Sequence, residues 1–157
     1  MKNRPQKFEC TPIGVVRNSV TEMSKGRWGD IESEIHLEAQ YAPGLQGLEQ
    51  FSHAVVVFYL HGIEPFNAEK QLLRHPRGME KLNKVGVFAQ RTKYRPNPIG
   101  VTSVEVRAIR DNVVTVRGLD ALDGTPVLDL KPYIQMFDRV ENARTPEWVV
   151  HFMEGYM

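Results

Sequence analysis

Ser52-His53-Ala54-Val55-Val56-Val57-Phe58-Tyr59-Leu60 is the stretch on which the fold turns. It is rich in β-branched and aromatic side chains and apolar at both odd and even positions. That pattern predicts a strand covered on both faces, the central and most buried strand of the molecule. Upstream, Phe8 to Val16 ends in the strand-forming run Ile13-Gly14-Val15-Val16. Ile31 to Leu37 sets Ile31, Ser33, Ile35 and Leu37 against Glu32, Glu34 and His36, the alternation of a half-buried strand.

Downstream, His61 to Lys84 is a polar excursion containing Pro65 and Pro76, with helical character only around Ala68 to Leu73. Val85 to Gln90 predicts another strand. Thr102 to Arg110, with Val104, Val106 and Ala108 inward, is joined to Val113 to Arg117 by the tight turn Asp111-Asn112. Asp123-Gly124 predicts a turn into a further strand, Pro126 to Leu130. Near the end, Thr145-Pro146-Glu147 supplies an N-cap, a proline at the first helical position and an acid in the first turn of a short helix reaching Met153. Many short strands and few helices predict a mainly β fold, a single β-barrel-like domain over residues 1–157 with mixed or antiparallel strands and a short C-terminal helix.

Composition fits one core: 157 residues, 25% of them charged, with 12 Gly, 10 Pro and 1 Cys. The longest apolar run, Ala54 to Leu60, falls well short of the roughly 20 residues that span a bilayer, so no membrane helix is expected. The basic start, Met1 to Lys7, is followed by no apolar region of a secretory signal, which predicts a cytoplasmic protein. Cys10, the only cysteine, cannot form an internal disulfide or a thiolate metal cluster and is expected to be a small core residue. The five histidines, His36, His53, His61, His75 and His151, show no metal-pair spacing, so no metal is expected. Glycine-rich nucleotide-binding fingerprints and a Gly-x-Ser-x-Gly element are also missing from the sequence.

The net charge of +1 conceals a polarised segment. From Glu69 to Arg95, eight basic residues face two acidic ones, a cationic cluster that attracts phosphate whatever its source. This cluster runs into Arg91-Thr92-Lys93-Tyr94-Arg95-Pro96-Asn97-Pro98-Ile99-Gly100. There two prolines pre-shape a loop carrying cations for carboxylate or phosphate and, in Tyr94, a ring for stacking on a base. The second dense segment runs from Leu119 to Tyr133. In it Asp123-Gly124 lets backbone amides and carbonyls approach a ligand, and Asp129, Lys131 and Tyr133 share one face of a strand. That face suits a pocket wall or a solvated edge equally.

Phe88 to Gly100 together with Leu119-Asp120 and Asp123 to Tyr133 resembles the TsaA-like family of TrmO-type tRNA methyltransferases. Ile13 to Arg17 and Gly47 to His53 extend the resemblance to most of the chain, roughly Phe8 to Phe137. The resemblance implies a single barrel-like domain, a homodimer, and S-adenosylmethionine bound without a Rossmann fold. It also implies methylation of N6 in threonylcarbamoyladenosine at tRNA position 37. It carries cofactor contacts onto His61, Gly62, Arg91, Val101, Asp123, Gly124, Thr125 and Pro126, with Arg91 meeting the methionine carboxylate. The cationic residues Arg74, Arg77, Lys81, Lys84, Lys93 and Arg95 would then face RNA. Asn97, Asp129, Lys131 and Tyr133 are the candidates for the acceptor side of the catalytic centre.

The chain departs from the family twice. Lys25-Gly26-Arg27-Trp28-Gly29 stands where an Arg-Gln-Pro-Gly element is frequent, with Trp28 expected to substitute by stacking, and the C-terminal extension of the longer bacterial enzymes is missing. Two other readings fit the sequence: a non-catalytic module binding S-adenosylmethionine or RNA, and a methyltransferase acting on a small molecule.

Overall fold

A computed structural model describes residues 7–22, 27–154 and 156. The elements are β1 (Gly14–Arg17), β2 (Glu32–Leu37), β3 (His53–Tyr59), α1 (Ala68–Gln71), β4 (Leu73–Arg74), β5 (Val85–Gly86), β6 (Ile99–Arg110), β7 (Val113–Arg117), β8 (Pro126–Pro132), α2 (Gln135–Asp138) and α3 (Glu147–Met153). Six strands close into a barrel in the order β1-β2-β7-β6-β3-β8, and every neighbouring pair is antiparallel. Closure removes the sheet edges that would otherwise invite pairing with other chains.

In the quoted stretch, Ala54, Val56 and Phe58 point into the core while Tyr59 is exposed. The strand is therefore apolar on both faces but buried on one. A barrel strand always turns one face outward, even when its two neighbours, here β6 and β8, make it central to the hydrogen bonding. Inside, those three side chains meet Val16, Ile35, Val104, Val114, Val116, Leu119 and Val127. Ser33, Ile35 and Leu37 of β2 are buried as the alternation predicts.

Several local expectations are corrected. Val85 to Gln90 is not one strand: only Val85–Gly86 pairs, with β4, and Val87–Ala89 coils into a 3-10 turn. β6 starts at Ile99 rather than Thr102, and a register shift between Val106 and Ala108 changes which side chains face inward, so Ile109 packs on the core instead of Ala108. At α3 it is Pro146 that occupies the N-cap position, with no capping side chain, and Thr145 lies outside. Cys10 is exposed, because it precedes β1 and has no strand to pair with. The turn Asp111-Asn112 forms as expected, with Asp111 in the left-handed region at φ 53°. Among the described residues no helix is long and apolar enough to cross a membrane.

Antiparallel pairing all round sends the last residues of β1, β7 and β3, and the first of β2, β6 and β8, to the same end of the barrel. That end receives Arg17 and Asn18, His61, the Asp123-Gly124 turn and the loop preceding Ile99.

Candidate functional site

The two dense segments converge at this end. β3 and β6 lie side by side with Tyr59 opposite Ile99 and Val57 opposite Val101, and the backbone N–H of Leu60 donates to the Pro98 carbonyl at 2.8 Å. β8, on the other flank of β3, brings the turn alongside, where Thr125 Oγ1 and His61 Nδ1 are 3.3 Å apart. Gly62 follows with φ 69°, a left-handed conformation that lets the chain leave β3 sharply. The Arg91 guanidinium donates to the carbonyl of Val101, so the arginine that opens the proline loop is fastened to the strand that follows it.

The Asp-Gly turn is tightly wired. Gly124 adopts φ 79°, and the N–H groups of Asp123, Gly124 and Thr125 donate to the carbonyls of Val20, Val16 and Leu122 at 2.8, 2.8 and 3.2 Å. The Asp123 carboxylate accepts from the Asn18 backbone N–H at 3.1 Å and pairs with Arg17 at 3.6 Å. The turn's amides are thus committed internally, which corrects the expectation that they reach a ligand; the Thr125 carbonyl accepts from the Val16 N–H at 2.9 Å and its side chain is 3% exposed, so what the turn can offer is the carbonyl oxygens of Asp123 and Gly124. The donor set at this end consists of a guanidinium, an imidazole beside a hydroxyl, carbonyl acceptors and the outward-facing Val101, which is 43% exposed. That combination suits a ligand with a carboxylate, an aminopurine edge and an apolar middle, as S-adenosylmethionine has.

Thr102, the residue after Val101, belongs to a cluster that no sequence spacing indicated. Asp120 accepts from the Thr102 hydroxyl with one carboxylate oxygen and from the Tyr156 phenol with the other, the latter at 2.9 Å. Tyr156 also receives the Trp28 backbone N–H on its carbonyl at 2.9 Å, and the Arg77 guanidinium lies 5.3 Å from its ring centre. Burial, followed by the Asp120 charge and its hydrogen bond, raises the Tyr156 phenol pKa far above the usual tyrosine range, with Arg77 and Arg91 pulling weakly the other way. Trp28 itself is 3% exposed, so it is a core residue and cannot stack on a ligand. Lys25 and Gly26 of the same segment, like Met1 to Gln6, lie outside the described residues.

The cationic segment has an internal order of its own. Arg74 lies over the Tyr94 ring at 4.2 Å with Lys93 at 5.3 Å, so that ring already carries cationic neighbours before any base could stack on it. Arg95 donates through one nitrogen to the Gln90 and Thr92 carbonyls at 2.9 and 3.2 Å, and Arg77 leans on Phe152 as well as on Tyr156. The Gln90 amide bridges the Arg74 and Val85 carbonyls, clamping β4 to β5. Lys81 and Lys84 are exposed.

The catalytic candidates divide. Asn97 is exposed at the tip of the proline loop, at the convergent end. Asp129 and Lys131 share an outer face, as their spacing implies, and pair with each other at 2.6 Å midway along β8. Tyr133 lies at the opposite end, where its N–H donates to the His53 carbonyl. The strand that runs from the turn to Tyr133 spans about 20 Å at 3.3 Å per residue, so these residues are not brought to one centre. A cavity of about 600 Å³ also lies at that far end, lined by Tyr41, Leu45, Phe51, Leu130 and other uncharged residues, with no cation to meet a carboxylate. Among the described residues no three His, Cys, Asp or Glu side chains gather where they could hold a metal ion.

Residues 22–139 match the family model of the tRNA-methyltransferase O N-terminal domain. A protein of Methanothermobacter thermautotrophicus named a probable S-adenosyl-L-methionine-binding protein is 45% identical over 132 residues, covering 81% of this chain and 90% of that protein. The Escherichia coli tRNA (adenine(37)-N6)-methyltransferase is 35% identical, and the match covers 87% of this chain but 62% of the enzyme. A crystal structure of TrmO from P. aeruginosa superposes with a TM-score of 0.74 at 28% identity, over 92% of this chain and 63% of that one.

Proposed function

The chain belongs to the tRNA-methyltransferase O N-terminal domain family, and from that premise we propose that it is an S-adenosylmethionine-dependent methyltransferase acting on N6 of adenine 37 in tRNA, in its threonylcarbamoylated form. The observation that carries this reading is that the Arg91–Val101 and His61–Thr125 contacts fall at one barrel end, next to a cationic loop.

Arg91 would hold the methionine carboxylate, Val101 would pack against the apolar middle of the cofactor, and the carbonyls of Asp123 and Gly124 would accept from its adenine amine. His61 and Gly62 would close the side beyond β3. When bound, S-adenosylmethionine would supply a methyl carbon activated by its sulfonium. The residues named above would align that carbon with the acceptor nitrogen and exclude competing water, because the leaving group is already activated, and the N6 proton would pass to solvent as the methylated base departs. Arg74, Arg77, Lys81, Lys84, Lys93 and Arg95 would meet the RNA backbone. Such an enzyme would work in the cytoplasm with its tRNA. A second copy would cover α2, where Met136 and Phe137 are 98% and 87% exposed.

The Methanothermobacter relative is named for S-adenosyl-L-methionine binding, which both this reading and a second one, a binding module without transfer, require. One assay separates the two: purified protein is incubated with methyl-labelled S-adenosylmethionine and total tRNA from cells lacking the modification. Label in tRNA is the expected result. Cofactor binding without labelled RNA supports the module, and label in the low-mass fraction points to a small-molecule acceptor.

A further inference from the structure

We infer that the small cavity between the exit of β3 and the proline loop is the pocket for the acceptor nucleobase. This inference rests on the methyltransferase reading and adds to it the place where the base sits and the residues that select it.

The cavity measures about 270 Å³. That is below the ~300 Å³ at which pockets begin to take drug-sized ligands, a volume for one heterocycle and not for a whole cofactor. Its walls include the rings of Tyr59, Phe66 and Tyr94 and the flat edge of Pro96, with Glu64 and Arg95 as its charged groups. Aromatic side chains interleaved with polar groups suit an unstacked base, which offers a π-face to the rings and polar edges to the groups between them. The two charges match a substituted purine. Glu64 can accept from an exocyclic N–H, and Arg95 can meet an anionic substituent on that nitrogen or the adjacent phosphate.

The walls are fixed before any ligand arrives. Arg95 is held by the Gln90 and Thr92 carbonyls, Arg74 lies over Tyr94, and the Leu60 to Pro98 hydrogen bond joins the two loops. Position agrees with size. Tyr59 pairs with Ile99 on the outer barrel face, and Val101 follows on that face two residues along β6, about 7 Å away at strand spacing. His61 lies two residues beyond Tyr59. A base in the cavity would therefore adjoin the residues proposed to hold the methyl donor.

The test uses Glu64→Gln, a change at an exposed side chain, and Phe66→Ala in the full chain. Cofactor affinity is read by calorimetry, and kcat and KM by transfer of label to threonylcarbamoylated tRNA. Both variants should keep the cofactor Kd within about twofold while kcat/KM for tRNA falls at least about tenfold, the scale of one lost base–aromatic stack. Unchanged kcat/KM in both variants, with an active wild type, overturns the pocket and leaves the methyltransferase reading standing. Parallel loss of cofactor binding also overturns it, by making the cavity part of the donor site. If the wild type labels no tRNA the methyltransferase reading fails. Saturation-transfer NMR with free N6-threonylcarbamoyladenosine then decides the pocket alone: a transfer signal seen with the wild type and abolished by Phe66→Ala supports it, and an equal signal, or none, with both proteins refutes it.

Discussion

The Tyr156 phenol donates to the Asp120 carboxylate at 2.9 Å, and the same carboxylate holds the Thr102 hydroxyl. One acidic side chain thereby ties the last described residue of the chain to the strand that carries Val101. The Trp28 backbone N–H and the Arg77 guanidinium complete the surroundings of Tyr156.

Tyr156→Phe keeps the ring and its packing against Arg77 but removes a hydrogen bond to a charged acceptor, and should destabilise the fold by roughly 1–2 kcal/mol. Urea unfolding with an unchanged slope would measure it. A midpoint equal to the wild type would mean that this bond contributes nothing.

The same pair predicts an alkaline limit. Because the folded state raises the Tyr156 phenol pKa, the folded chain keeps a proton that the unfolded chain releases above its ordinary pKa of about 10. The stabilisation is fully present below that pH and is lost as pH rises toward the folded value. Thermal melts between pH 9 and 11.5 should show a steeper decline for the wild type than for Tyr156→Phe, and parallel curves would contradict the assignment.

Cofactor and RNA binding should separate by mutation. Arg91→Ala removes the guanidinium at Val101 and should weaken S-adenosylmethionine binding, whereas Lys81→Ala with Lys84→Ala should leave that affinity intact. The double variant should bind tRNA more weakly and with a shallower salt dependence, by about two released counterions at most. Calorimetry and gel shifts over a salt series check this, and equal losses of both ligands in either variant would end the division of labour.

Two glycines are fixed by packing. A Cβ on Gly14 would lie 2.8 Å from Leu37 Cα and against the His36 carbonyl, and one on Gly100 would enter the ring of Phe58, which is 2% exposed. Gly14→Ala meets backbone of the paired strand, which cannot step aside, and should cost at least about 1–3 kcal/mol. Gly100→Ala must displace a core ring and should cost about as much. A loss under about 0.5 kcal/mol by denaturant titration in either would show that the barrel relaxes there.

The exposed apolar side chains of α2 predict a concentration-dependent assembly. Met136→Ser with Phe137→Ser should shift sedimentation toward the monomer without altering the far-ultraviolet circular dichroism spectrum. A wild-type chain that sediments as a monomer at micromolar concentration would remove the homodimer.

Short-range physics was readable directly. The alternation of Ser33, Ile35 and Leu37, the left-handed Asp111 in a two-residue turn, the Asp123-Gly124 bend and the helix near the end of the chain all depend on neighbours within a few residues. The proline loop and the Asp-Gly segment could be singled out as chemistry for the same reason. Where a partner several dozen residues away decides the outcome, local reading erred. Val87 to Ala89 has strand-forming residues but coils, since β5 ends after two pairs with β4. Trp28, expected at a ligand, is in the core, and Cys10, expected in the core, is exposed.

By itself the order of residues determined that this chain is mainly β and closed by short turns, and that its cations crowd one loop. Those properties follow from side-chain shape, backbone preference and charge, which each residue carries wherever it is placed. Only the tertiary structure decided that His61 meets Thr125, that Asp120 holds Tyr156, and that Tyr133 stands at the far end of the barrel from Asn97 and the Asp123-Gly124 turn. Those outcomes depend on strand register and on the direction in which each strand crosses the barrel, and both are set by burying one face of all six strands at once.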